Sequence, residues 1–192
     1  METEDQVLSS IVGVLDVQGF FIGGKYFVRE IAFASDRLNI RYDVSTGINS
    51  ASLSRADRRA AAFLTKHQHG LDFNPSGAAL KQEAVFEVFD TILAVFARSE
   101  NAKFAIRNLQ LAQLLDRHGI AYVDLITLGC PTTTIAYARN HVSLPCSLHP
   151  QDRKYRCAQS KSQYYYKWLK MYIASNKTLC CHNHVAQRGQ CD

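Results

Sequence analysis

Two β-rich runs joined by a Gly pair constrain this chain more than any other feature. The first is Ile11-Val-Gly-Val-Leu-Asp-Val-Gln-Gly-Phe-Phe-Ile22. The second is Lys25-Tyr-Phe-Val-Arg-Glu-Ile-Ala-Phe-Ala34, with Gly23-Gly24 between them. Branched and aromatic side chains at this density suit a pleated, buried backbone. A two-residue Gly link supplies the turn of a hairpin. The first run is apolar enough for a buried central strand. It carries one acid, Asp16, two residues before an amide, Gln18.

The rest of the chain reads as an α/β alternation. Asn39-Ile-Arg-Tyr-Asp-Val44 alternates with period two and predicts a third strand. Ser54-Arg-Ala-Asp57 has the hydroxyl cap and the following acid of a helix start, and that helix should run to about Thr65. His67 and His69 follow in a turn-rich connection. On a strand they would share one face, as a metal pair does, but no third ligand is near, so packing or hydrogen bonding is the expected role. Leu80, Ala84, Val88, Phe89, Ile92, Val95 and Phe96 recur at three- and four-residue spacing and predict a long helix over 79–97.

A short strand at 102–106, a helix from Asn108 to His118 stopped by Gly119, and a strand at 120–126 come next. A last helix is predicted over about 155–174, with Ala158, Tyr165, Trp168, Leu169 and Tyr172 packing. This order implies a mixed sheet covered by helices on both faces. A right-handed crossover places 102–106 beside the first strand. The expected organisation is an acidic tail over 1–10, one domain over 11–175, and a flexible Cys/His-rich tail over 176–192.

Composition narrows the class. The chain has 192 residues, 47% of them hydrophobic, which suits one domain with an ordinary core. No apolar run approaches the roughly 18–20 residues of a membrane span. The acidic start, Met1-Glu-Thr-Glu-Asp5, lacks the features of a secretory signal. An intracellular protein, nuclear or cytoplasmic, is expected, with its six cysteines as thiols or metal ligands. The net charge of +5 is uneven: from Pro150 onward 8 Lys/Arg against 2 Asp/Glu leave +6, and the preceding residues carry 14 against 15, or −1. A basic end favours nucleic acid or another polyanion.

With Asp16-Val-Gln18 in the first strand and Arg156-Cys-Ala158 opening the last helix, the element order resembles the ribonuclease H-like 3′–5′ exonucleases with four acidic metal ligands. The resemblance covers about residues 11–172. It implies a ribonuclease H-like mixed sheet flanked by helices, and a centre where two divalent ions activate water against a phosphodiester. Asp16 matches the first acid of that family's Asp-x-Glu. Gln18 replaces the second, isosteric but neutral. Asn108 matches the Asn of the second motif, and Leu109-Gln-Leu-Ala-Gln113 supplies no acid after it. In the last motif, His-x-Ala-x-x-Asp, Ala158 fits, while Arg156 stands at the His and Lys161 at the Asp. A Lys⁺ there repels the cations such chemistry needs. Asp16 and Gln18 are thus a vestigial catalytic position, unless a shifted alignment recruits Asp124 or Asp152.

Two further constellations lie near the C-terminal end. Cys146-x-x-His149 has metal-ligand spacing, and Cys130 and Cys157 would complete a Cys₃His structural zinc site. The alternative is that Cys130 and Cys157 are small buried hydrophobes. Cys180, Cys181, His182, His184 and Cys191 form a weaker second set. Arg153, Lys154, Arg156, Lys161, Tyr164 and Lys167 interleave cations with aromatics, as a surface that tracks phosphates and stacks unpaired bases does. Of Tyr164, Tyr165 and Tyr166, at least one should be exposed, because they point in different directions about the helix axis. The expected function is a nucleic-acid-associated, exonuclease-like domain that binds nucleic acid or a protein partner without cutting. Two alternatives stay open: an active 3′–5′ exonuclease using Mg²⁺ or Mn²⁺, and an unrelated α/β protein-interaction module.

Overall fold

The computed structural model describes residues 3–75, 77–97, 101–133 and 157–187, with the side chains of the last helix described to residue 176. The hairpin forms as the sequence predicts. β1 (Ile11–Ile22) pairs antiparallel with β2 (Lys25–Ala34), and Gly23 and Gly24 make the turn at φ 55° and 76°. β3 (Asn39–Asp43) pairs antiparallel with β2. β4 (Lys103–Ile106) pairs parallel with β1, as expected, and β5 (Tyr122–Asp124) parallel with β4. The order is β3-β2-β1-β4-β5, so the acid-bearing strand is central. The register slips between Gln18 and Gly19. A Cβ on Gly19 would lie 2.1 Å from the Phe27 carbonyl oxygen, so only glycine fits this bulge.

Alternation along β1 divides two apolar layers. Leu15 and Val17 join Ile31, Phe33, Phe104 and Ile106 beneath α3 (Val85–Phe96) and α4 (Leu109–Arg117), which contribute Phe89, Ile92, Leu111 and Leu115. Val14 and Ala105 face the other way. They pack with Leu8 of α1 (Glu4–Ser9), with Leu125 and Cys130, and with Tyr165 and Leu169 of α5 (Ala158–Gln187). The α/β class with helices on both faces of a mixed sheet therefore holds. α2 (Arg55–Leu64) starts where its cap predicts: the Ser54 hydroxyl accepts from the Asp57 N–H at 3.0 Å.

Several boundaries differ from expectation, each for a local reason. The helix predicted from Ala79 begins at Val85. Leu80 instead bridges Val44 and exchanges backbone hydrogen bonds with Asp43 and Ser45, prolonging the sheet edge. Gln82 then spans to Val28 N and O with its side-chain amide. Val95 is 66% exposed, because it lies well round the axis from the buried Val85, Phe89 and Ile92. β5 stops at Asp124, whose carboxylate accepts from Ile126 N at 2.8 Å and turns the chain. His67 and His69 lie in a π-helical turn (Thr65–His69), so they diverge: His69 is buried and His67 exposed. Residues 4–9, read as acidic tail, form α1, and the last helix extends to Gln187. None of the three successive tyrosines is fully exposed: Tyr165 is buried, while Tyr164 and Tyr166 are half-buried against the second core layer.

Candidate functional site

The face of β1 and β2 beneath the start of α5 holds the two buried carboxylates of the described residues, Asp16 and Glu30. Asp16 is 1% exposed. Its Oδ1 accepts from Asn108 Nδ2 at 2.9 Å, and its Oδ2 lies 3.8 Å from the Lys161 ammonium, an ion pair without a hydrogen bond. Burial pushes the Asp16 carboxyl above its ordinary range. Lys161 opposes that rise most, followed by the Asn108 amide, the Val17 backbone and the Gln18 amide. Asn108 also caps α4: its Oδ1 accepts from Gln110 N and Leu111 N, and its Nδ2 donates to Val17 O as well as to Asp16. The cap fixes the amide orientation, since a backbone N–H needs the oxygen. Asn108 therefore presents an N–H to the acid.

A second carboxylate, Glu30, was missed in the sequence. It lies across from Gln18 in the β1–β2 register and is fully buried. Its Oε2 accepts from Ala158 N at 3.0 Å at the start of α5. Its Oε1 accepts from the Cys157 thiol at 3.6 Å and lies 3.5 Å from Arg41 Nε. Burial raises its pKa to about 6; the Ala158 N–H, Arg41 and Cys157 oppose this, and Asp16 adds to it. The available signal was the charged Arg29-Glu30 pair inside an otherwise apolar strand. Arg29 faces the other way and is held by Asp43 at 3.1 Å and by the Asp72 carbonyl at 2.9 Å. Burial likewise raises Tyr26, with Asp16 and Glu30 adding to the effect.

The helix start explains the assembly. Ala158 docks on Glu30, and one turn later Lys161, whose N–H bonds Cys157 O, reaches Asp16. One turn further, Tyr165 fills the apolar layer, with the Arg107 guanidinium 5.9 Å over its ring. Two acids thus face two cations, Lys161 and Arg41, with the amides of Gln18 and Asn108 beside them.

These residues do not fit a pair of divalent ions. Such ions need several carboxylate oxygens with open lone pairs. Here one Asp16 oxygen is taken by an amide N–H and the other faces an ammonium, and Glu30 is held by α5. Among the described residues no group of three or more His, Cys, Asp or Glu could hold a metal ion.

The remaining predicted residues are scattered. Lys161 turns inward to Asp16, Tyr164 packs half-buried, and Lys167 is exposed. Cys130 is buried in the second apolar layer, and burial pushes its thiol up to about 12. Cys157 is buried at the start of α5, with its thiol on Glu30. Cys146, His149, Asp152, Arg153, Lys154 and Arg156 lie outside the described residues, as do the side chains of Cys180, Cys181, His182, His184 and Cys191. Asp124 is occupied by its own turn. No described helix is long and apolar enough to cross a membrane. Comparison with protein-family models, with curated proteins and with solved structures finds no match to this chain.

Proposed function

We propose that this chain is a ribonuclease H-like, exonuclease-related domain that binds nucleic acid and does not cut it. The fold part of this reading is supported by an acid on the central first strand of a mixed sheet with helices on both faces. The loss of cutting rests on one observation, the Lys161 ammonium 3.8 Å from Asp16 Oδ2. A fixed cation at that carboxylate takes the charge a divalent ion would neutralise and repels the ion itself. Gln18 adds an amide where that chemistry would use a carboxylate. The test is incubation with end-labelled single-stranded DNA and RNA in Mg²⁺ or Mn²⁺, with binding followed across a salt series. Intact substrate and binding that weakens steeply with salt are expected. Metal-stimulated trimming that disappears in Asp16→Ala would overturn the proposal.

A further inference from the structure

Helix α2 carries an exposed basic face. Between residues 55 and 66 there are four cations, Arg55, Arg58, Arg59 and Lys66, and one acid, Asp57. Asp57 turns toward the hairpin. Its Oδ1 accepts from Gly23 N at 3.2 Å and its Oδ2 from the Ser54 hydroxyl at 2.7 Å. Ala61 is the one buried residue of the helix.

On the opposite side Arg55, Arg59 and Phe63 recur at four-residue spacing, and Lys66 and His67 continue the face through the π-helical turn. No carboxylate of the described residues pairs with Arg55, Arg59 or Lys66. Phe63 is 55% exposed and its ring lies against His67, centroids 5.0 Å apart. The neighbouring Ala56, Ala60 and Ala62 are exposed and small, so a bulky polyanion can approach the helix closely.

We infer that this face of α2 binds single-stranded nucleic acid, with Arg55, Arg59 and Lys66 tracking phosphates and the Phe63–His67 pair stacking an unpaired base. Charge complementarity selects a polyanion. The solvent-facing aromatic pair among the cations selects one with π-faces to offer, because an acidic peptide would use the cations alone. A paired base has no free face for Phe63, so the strand is single. The inference rests on the nucleic-acid reading above. It moves the contact surface away from α5, where Lys161 serves Asp16, Lys170 pairs with Asp36, and Tyr164 is half-buried.

The experiment is fluorescence anisotropy of labelled oligo-dT on the full chain, between about 50 and 200 mM salt. The triple variant Arg55→Gln/Arg59→Gln/Lys66→Gln should bind at least about tenfold more weakly. Its slope of log affinity against log salt should be shallower by about 2, the value for three single-strand phosphate contacts. Phe63→Ala should weaken binding about tenfold, as expected for one lost base stack, with the slope unchanged. Lys81→Gln, at an exposed cation outside α2, should change little. All five positions face solvent, and a matching thermal unfolding curve checks each fold. If wild type binds and neither the triple variant nor Phe63→Ala weakens it, the α2 surface is wrong while the nucleic-acid reading stands. If wild type does not bind at all, both fall. Competition by polyglutamate as effective as by unlabelled oligo-dT at equal charge would also overturn the inference, because stacking would then contribute nothing.

Discussion

Glu30 is buried in full and holds its proton more tightly than an ordinary carboxyl, with a pKa raised from 4.5 to about 6. Below about pH 4.5 the folded and unfolded chains are both protonated there, and the raised affinity favours the fold in full. As the pH rises toward 6 the unfolded chain has released the proton and the folded chain has not, so stability falls. Above 6 both are ionised and the curve levels. The shift corresponds to about 2 kcal/mol. Wild type should therefore lose about 1.5 kcal/mol relative to Glu30→Gln between pH 4.5 and 6.5, read from urea unfolding at each pH. A difference that stays flat with pH would mean that Glu30 has an ordinary pKa. The same residue shows what the sequence conceals at this scale. Asp16 was legible because it stands alone in an apolar run, and Lys161 because it sits where an acid was sought. Glu30 offered only the charged Arg29-Glu30 pair as a signal, and its role stayed hidden because its environment is made by Arg41 on β3 and by the Ala158 N–H, 128 residues along the chain. No local pattern announces a partner that distant.

The elements most legible in the sequence are those whose ends are set by their own residues. α2 starts at the Ser54 cap, α4 starts at the Asn108 cap, and the hairpin turns on two glycines. The start of α3 was not legible, because tertiary hydrogen bonds from Asp43 and Ser45 claim Leu80 for the sheet edge. The bulge in β1 belongs to the second kind. It needs Gly19, which in sequence is only a glycine among apolar residues. Its reason lies on the partner strand, where the Phe27 carbonyl leaves no room for a Cβ and the Tyr26 ring stands 3.0 Å away. The Phe27 backbone cannot retreat without breaking the central ladder. Gly19→Ala should thus destabilise the fold by about 3 kcal/mol, at the upper end of overpacking costs. Gly47→Ala is the comparison. Gly47 has open space around it and a φ of 69°, so the substitution should cost only about 1 kcal/mol. Denaturant unfolding of the two variants tests this. Equal losses would mean that the close approach at the bulge is not what demands glycine.

At the scale of the molecule, the two ends of the domain close one face of the sheet together. α5 lies across β1, β2 and β3, and α1 packs beside it. The capping box of Thr3 and Gln6 starts α1, and Leu8, 6% exposed, enters the layer with Val14, Tyr165 and Leu169. Glu4 accepts from the Tyr172 hydroxyl at 2.9 Å and from the Asn176 amide at 3.3 Å. Those hydrogen bonds are exposed and each contributes little beside the water they replace. The apolar contact is different. Burying a leucine stabilises by roughly 1.5–3 kcal/mol, and the hole left by its removal lies against the central strand. Deleting residues 1–9 should therefore cost about 2–3 kcal/mol in urea unfolding, and Leu8→Ala alone should reproduce most of that loss. Glu4→Gln should stay within about 0.5 kcal/mol of wild type. An acidic tail would give the opposite pattern: a deletion without effect, and no penalty for Leu8→Ala. The comparison thus decides whether the sheet face that holds Asp16 and Glu30 is closed by α5 alone or by both ends of the chain.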